Sequence, residues 1–297
     1  MTAPAATTRV LLERLVDYAG LFPPASLSMA EAVADYASYR ASPDAWMLGR
    51  LVVPVARLDE LAACAASLVD ARDGPWTLSG IAGAEPASDF ACVRAFNGAQ
   101  RGRLVVDSVE LRAASASAIE SALAASDREL IVFVEIPLGD DPRPLLEVVK
   151  RHGARAKART GGTTASSFPT AAALARFIVA CAAIDLPFKV TAGLHHALRA
   201  EQRLTYDIDA PLATMFGFLN VFLAAAFARA GMDEPTLSLL LEERESAAFT
   251  FGDDAIAWRD WRLGREQIAD MRHSLALGFG SCSFREPVDE LHELALL

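Results

Sequence analysis

Short β-type runs alternate with longer Ala-rich helical stretches along the whole chain, and that rhythm constrains the fold more than any other feature. Strands separated by helices of ten residues or more read as parallel strands joined by crossovers. The runs fall at 50–55, 76–82, 107–112, 129–137, 155–160, 187–193 and 248–258, with an eighth at 16–22. Helical stretches lie between them at 28–40, 58–70, 115–125, 142–152, 168–183, 211–230 and 265–277. The first opens on Ser28 with Glu31 three residues on, the spacing of a capping box.

Seven or eight such units in 297 residues, without a Gly/Ser or Pro linker, predict an α/β chain of one domain, 1–297, folded as a (β/α)8 TIM-like barrel. A doubly wound open sheet is the alternative, disfavoured because no G-x-G-x-x-G follows an early strand.

Composition narrows the function. The net charge is −10, and the arginines are scattered among 38 carboxylates, which argues against nucleic acid as a partner. Cys64, Cys92, Cys181 and Cys282 form no C-x-x-C pair, as expected of reduced thiols in the cytoplasm. Residues 1–15 lack the apolar run of a secretory leader. The most apolar run, 216–228, is too short to span a membrane, so no membrane partner is expected. It reads as a buried helix or a subunit contact, the basis for expecting a homo-oligomer.

The 28 basic residues comprise 25 Arg and only three Lys: Lys150, Lys157 and Lys189. Arg cannot deprotonate in a protein, whereas a buried Lys can act as a base or form a Schiff base. Two of the three lysines stand in consecutive strands, in A-K-A-R-T-G-G and F-K-V-T-A-G-L-H-H. Period-two alternation puts Lys157 and Arg159 on one face, and Lys189, Thr191 and Gly193 on one face of the next strand. Barrel chemistry sits at strand carboxyl ends. Each ammonium is expected to lie near the other and near Arg159, and like charge and desolvation both lower a Lys pKa. The opposing reading is two lysines with packed stems and heads in water.

Around them, Arg159 reads as a clamp for a substrate anion or as a salt-bridge partner. Thr160, Gly161 and Gly162 open a loop whose backbone N–H groups suit an anion. Glu135 is a lone carboxylate in I-V-F-V-E-I-P and needs a partner, which the next strand offers in Lys157 or Arg159, as a catalytic dyad or a structural pair. Glu110 pairs with Arg112 two residues on or joins the site. Of two adjacent histidines, His195 shares the parity of Lys189 and is chosen for the cavity over His196. Asp17, Asn220 and the Ser281, Cys282, Ser283 cluster are further polar insertions with plain local explanations.

The lysine pair, residues 155 to 196, resembles the class I aldolases of the deoxyribose-phosphate aldolase type, which are (β/α)8 barrels. That resemblance implies an imine on Lys157 with Lys189 tuning it, and no cofactor. The chain departs from that family in its R-T-G-G continuation and in offering no placed match for the catalytic Asp. A wider resemblance, to an uncharacterised group of bacterial barrel proteins, runs through D-Y-A-G-L-F-P-P, G-F-L-N-V-F and G-S-C-S-F-R-E-P and implies fold only.

The expected function is therefore a lyase-like enzyme acting on a small anionic carbonyl compound. One alternative is a divalent-metal enzyme using Glu110, Glu135 and His195. The other is a non-catalytic small-anion binder.

Overall fold

A computed structural model describes residues 3–69, 74–127, 129–139 and 141–297. Residue 1, where the leader reading starts, and residue 70, the far end of the expected helix 58–70, lie outside the described residues. In chain order come α1 (Ala6–Leu12), β1 (Val16–Tyr18), α2 (Met29–Arg40), β2 (Leu48–Pro54), α3 (Leu58–Ala65), β3 (Trp76–Ile81), α4 (Pro86–Gln100) and β4 (Leu104–Arg112). Next are α5 (Ala116–Leu123), β5 (Ile131–Glu135), α6 (Arg143–Arg151), β6 (Arg155–Arg159), α7 (Ala171–Ala183) and β7 (Phe188–Thr191). The last third adds β8 (Ala200–Arg203), β9 (Leu212–Met215), α8 (Phe218–Arg229), α9 (Glu234–Leu241), β10 (Phe249–Phe251), β11 (Ala255–Trp258), β12 (Trp261–Gly264), α10 (Arg265–Ser274), β13 (Ala276–Ser281) and α11 (Arg285–Glu293).

Eight strands close into one parallel barrel in the order β1, β13, β7, β6, β5, β4, β3, β2. The fold is a (β/α)8 barrel. Its strands are covered on the outside by helices and filled on the inside, so β5, I-V-F-V-E, is buried over its last four residues. Ser28 caps α2 as its spacing predicts: the Glu31 N–H donates to Ser28 Oγ at 3.3 Å and the Ser28 N–H donates to Glu31 Oε2 at 2.9 Å.

Two segments depart from the sequence reading. The run 248–258 is not a barrel strand: Gly252, Asp253 and Asp254 turn it back on itself, so β10 and β11 pair antiparallel and β12 completes an outlying sheet. That turn is pinned to the first helix, with the Ala6 N–H donating to Asp253 Oδ1 at 2.9 Å and Thr7 Oγ1 donating to the Gly252 carbonyl at 2.6 Å. The eighth strand is β13, A-L-G-F-G-S, inside and beyond the expected helix 265–277. Its glycines conceal it from β-propensity, yet a Cβ at Gly278 would meet the Leu15 carbonyl oxygen at 2.9 Å, so β13 crosses the strand entry too closely for a side chain.

The expected helix 211–230 begins as strand β9 and becomes helical only at Phe218. Every residue from Phe218 to Phe227 is buried within the chain itself, so this helix presents no apolar face for a subunit contact. Asn220 belongs there because its amide donates to the carbonyls of Leu240 and Glu243, both at 2.9 Å. The stretch Ala165–Ala183 is apolar and long enough by composition to cross a membrane, but α7 within it packs against α8 and α9.

Candidate active site

Strand register assembles the site. Arg112, Glu135, Lys157 and Lys189 are Cα partners in turn across β4, β5, β6 and β7, one row of charges on four consecutive strands. A second row runs Arg159, Thr191, Gly280, Asp17 across β6, β7, β13 and β1. In a closed parallel barrel the inward residues of such rows converge at the carboxyl end, so no sequence motif is needed to bring them together.

Glu110, on β4, is the centre of the cluster. Lys189 Nζ donates to Glu110 Oε1 at 2.6 Å and to Asp17 Oδ2 at 2.6 Å. Lys157 Nζ lies 2.7 Å from Glu110 Oε2 and 2.9 Å from Glu135 Oε2. Ser79 Oγ also donates to Glu110 Oε1, at 2.7 Å, and receives the Ser108 hydroxyl at 2.8 Å. Both lysines therefore share one carboxylate, with Asp17 and Glu135 at the two ends.

The two ammoniums are held differently. Lys189, 2% exposed, makes two directional hydrogen bonds and sits 5.3 Å above the Phe133 ring. Lys157, 7% exposed, lines the central cavity and is held by ion contacts. Its neighbour Glu135 Oε2 is buried, with the Lys157 ammonium against it. An acceptor of that kind beside an amine, at a cavity wall, is a place where a proton can move.

The electrostatics correct one expectation. Burial alone would lower the Lys189 pKa, but Asp17 and Glu110 outweigh it and raise the pKa above the ordinary lysine value. Lys189 is thus a fixed cation, and the expected lowering of each lysine by the other does not hold for it. Burial alone would likewise raise Glu110, but Lys157 and Lys189 prevail and hold it well below the usual carboxylate range. Glu135 is lowered in the same way: burial works against ionisation, and Lys157 followed by Arg159 outweighs it.

The cavity above this cluster has a volume of about 630 Å³. Its wall carries Lys157, Glu110, Glu135, Arg112, Arg159, Gly162, Thr191 and His195, so most residues singled out from sequence face one space. Arg159 Nε donates to Glu135 Oε1 at 3.0 Å, and Arg112 Nε approaches the same oxygen at 3.1 Å. Glu110 does not pair with Arg112 as its spacing suggests, because alternate residues on β4 meet different neighbours.

Three expected substrate contacts are positioned otherwise. Thr160 is fully buried and donates to the Ala192 carbonyl at 2.7 Å, tying the loops after β6 and β7. Gly161 faces an aromatic ring rather than the cavity: a Cβ there would stand 2.4 Å from Phe168. Gly193, in left-handed backbone at φ 65°, receives the same ring and borders a smaller adjoining cavity of about 310 Å³.

His195 reaches the cavity, whereas His196 turns to Glu290. His195 Nδ1 is 3.0 Å from Ser281 Oγ and 3.6 Å from Cys282 Sγ, and burial followed by His196 pushes its pKa down to about 4. Burial pushes the Cys282 thiol up to about 11, which leaves it a poor nucleophile. The ligand set Glu110, Glu135 and His195 is not assembled, since lysines hold both carboxylates and Ser281 holds the imidazole. Among the described residues no three His, Cys, Asp or Glu side chains form a metal-holding group.

Sequence reasoning undervalued Asp17 and Arg112. Asp17 is 172 residues from Lys189, and only closure of β1 onto β13 and β2 brings it in. Its lone carboxylate in a buried strand, V-D-Y, was the available signal, the same signal that marked Glu135.

No protein-family model matches the chain, and no curated protein matches it. The likeness of residues 155 to 196 to class I aldolases rests on those residues alone.

Proposed function

We propose that this barrel is an enzyme that forms an imine between Lys157 and a small anionic carbonyl compound, with a lyase-like outcome. The observation that carries the reading is the unequal placement of two buried lysines: one enclosed between Asp17 and Glu110, one in the wall of a cavity beside the Glu135 carboxylate.

The chemistry follows from the cluster. Lys157 transfers a proton to Glu135 Oε2, its lone pair forms the C–N bond as the C=O π pair moves to oxygen, and a second proton passes from the nitrogen to that oxygen to give the carbinolamine. Glu135 is depressed chiefly by the Lys157 ammonium, so neutralising that amine raises the basicity of its acceptor, as in any coupled pair. The Glu135 carboxyl then returns its proton to the carbinolamine hydroxyl, the C–O bond breaks, and water leaves an iminium. Its positive charge accepts the electron pair released when a bond at the adjacent carbon breaks. Glu110, fixed by Lys189 and Ser79, stays anionic and balances the charge on nitrogen throughout. His195, neutral because of its low pKa, is placed to carry a proton across the cavity.

The resemblance to aldolases agrees with this assignment of the two lysines. Four free cysteines fit a reducing cytoplasm, where we place the protein.

Borohydride reduction with candidate aldehydes and keto acids, followed by peptide mapping, tests the proposal. An adduct on Lys157 that disappears in Lys157→Arg is the expected result. An unmodified Lys157 with every carbonyl probe, together with full activity of Lys157→Arg on any identified substrate, refutes it. A simple anion binder tolerates that substitution.

A further inference from the structure

We infer that the substrate is a 2-oxo acid, its carboxylate seated on Arg159 and Arg112 directly beside Lys157, and that the site takes no phosphate. This rests on the imine reading and adds the class of compound.

Glu135 measures the spacing. One carboxylate lies between the amine and the guanidiniums, with Lys157 2.9 Å from Oε2 and Arg159 and Arg112 3.0 and 3.1 Å from Oε1. The amine and the guanidiniums are therefore no farther apart than the width of one carboxylate and a hydrogen bond at each end. In the imine of a 2-oxo acid the carboxylate is bonded to the imine carbon itself, which puts its oxygens at hydrogen-bond length from guanidiniums so placed. An anion several bonds farther from the carbonyl overshoots them. Both arginines use Nε on Glu135, and both stand in the walls of two cavities: the central one and a side chamber of about 520 Å³ that also has Glu135 in its wall. Lys157, Arg112 and Arg159 against Glu110 and Glu135 make this wall net positive in a chain of net charge −10.

On the opposite rim, backbone N–H groups are already engaged by the chain's own side chains. Barrels often hold phosphate on backbone N–H groups after the seventh and eighth strands. Here the Ala197 N–H, past β7, donates to Glu290 Oε2 at 2.6 Å, and His196 pairs with the same carboxylate. Past β13, the N–H groups of Ser283 and Glu286 donate to the hydroxyls of Ser281 and Ser283 at 3.3 and 3.2 Å. Glu286 stands in the wall of the adjoining cavity, adding a carboxylate where phosphate charge would have to go.

The test is borohydride trapping of the full chain with pyruvate, acetaldehyde and glyceraldehyde 3-phosphate, read as label on Lys157. Expected is half-maximal labelling at a pyruvate concentration about 10- to 100-fold below that for acetaldehyde, the worth of one or two charge-assisted hydrogen bonds. Arg159→Gln and Arg112→Gln, checked for folding by thermal melts, should each collapse the pyruvate-to-acetaldehyde ratio toward one. Equal or better labelling by acetaldehyde or by the phosphorylated aldehyde overturns the 2-oxo acid and leaves the imine standing. No label with any probe overturns the imine. The carboxylate seat is then judged by calorimetry with pyruvate: binding weakened about 10-fold or more in Arg159→Gln supports it, and unchanged or absent binding overturns it.

Discussion

The two halves of the barrel mouth solve the same problem in opposite ways. On the side of β4, β5 and β6, cations and carboxylates alternate along the cavity wall: Glu135 Oε2 meets the Lys157 ammonium there, and Arg112, 71% exposed, stands at the rim. On the side of β7 and β13, His195, His196, Ser281, Ser283 and Glu290 satisfy one another and the backbone. Buried polar groups that are fully paired specify structure, and those left partly paired beside a cavity are available for chemistry. Imine formation thus falls to the first rim and support to the second, from which His195 alone of the five reaches the central cavity.

The largest expected effect separates the rims directly. Lys157→Met should lower turnover of any identified substrate by about 10³-fold or more, as for loss of a covalent nucleophile. Cys282→Ser, on the supporting rim, should change it by less than about 10-fold. Comparable losses from both would erase the distinction.

Glu110→Gln comes next. It leaves Lys157 and Lys189, both buried, with one full carboxylate fewer, and breaking a buried ion pair from one side costs about 3–5 kcal/mol. Urea denaturation is expected to show a destabilisation in that range. A cost below about 1 kcal/mol would mean that water reaches the cluster and that its ions are not interdependent.

How much of this was legible beforehand follows from distance along the chain. Lys157, Arg159, Lys189, Thr191 and His195 lie within forty residues, and strand parity alone puts them on one face. Glu135 declared itself as a charge in an apolar run. Asp17 and Arg112 depended on which strands become neighbours, which closure decides and local pattern does not. The same limit explains the eighth strand: Gly278 and Gly280 erase the β signal of β13, where Gly278 lies against the Leu15 backbone and Gly280 against the Thr191 hydroxyl, while the stronger β pattern at 248–258 serves a peripheral sheet. The roles of Gly161 and Gly193 were hidden for a related reason, since the ring that fills their missing side chains comes from Phe168.

Acid stability sharpens the comparison, because the rims titrate in different windows. His195 has a folded pKa of about 4 against an ordinary 6.5, so the unfolded chain binds its proton first. Its contribution is complete above 6.5 and declines as pH falls toward 4, with a slope of at most about 1.4 kcal/mol per pH unit. Glu110 and Glu135 are depressed from 4.5, so their contribution is present above 4.5 and is lost only as pH falls through their lower folded values. Lys189, raised from 10.5, contributes below 10.5 and loses that contribution as pH rises through its folded value. Denaturation curves across pH 4 to 7 should show a His195→Asn variant with a flatter slope than the parent. Equal slopes would show that His195 titrates normally and that its rim is wetter than the geometry implies.

The smallest expected effect concerns the seam between the rims. Phe168 lies over Gly161, after β6, and Gly193, after β7; added Cβ atoms would stand 2.4 and 2.8 Å from its ring. Gly161→Ala must push the ring aside, an overpacking cost of about 1–3 kcal/mol. Gly193→Ala adds the strain of a side chain at φ 65°. If the ring is the obstacle, Phe168→Leu should recover most of the loss in Gly161→Ala, and less in Gly193→Ala, where the backbone penalty remains and the Gly161 Cα also stands 2.9 Å from the new atom. A double-mutant cycle read by thermal melts measures that coupling. Additive losses at Gly161 would mean that the ring only covers a seam held by the β6–β7 ladder and by the Thr160 hydrogen bonds to Thr191 and Ala192.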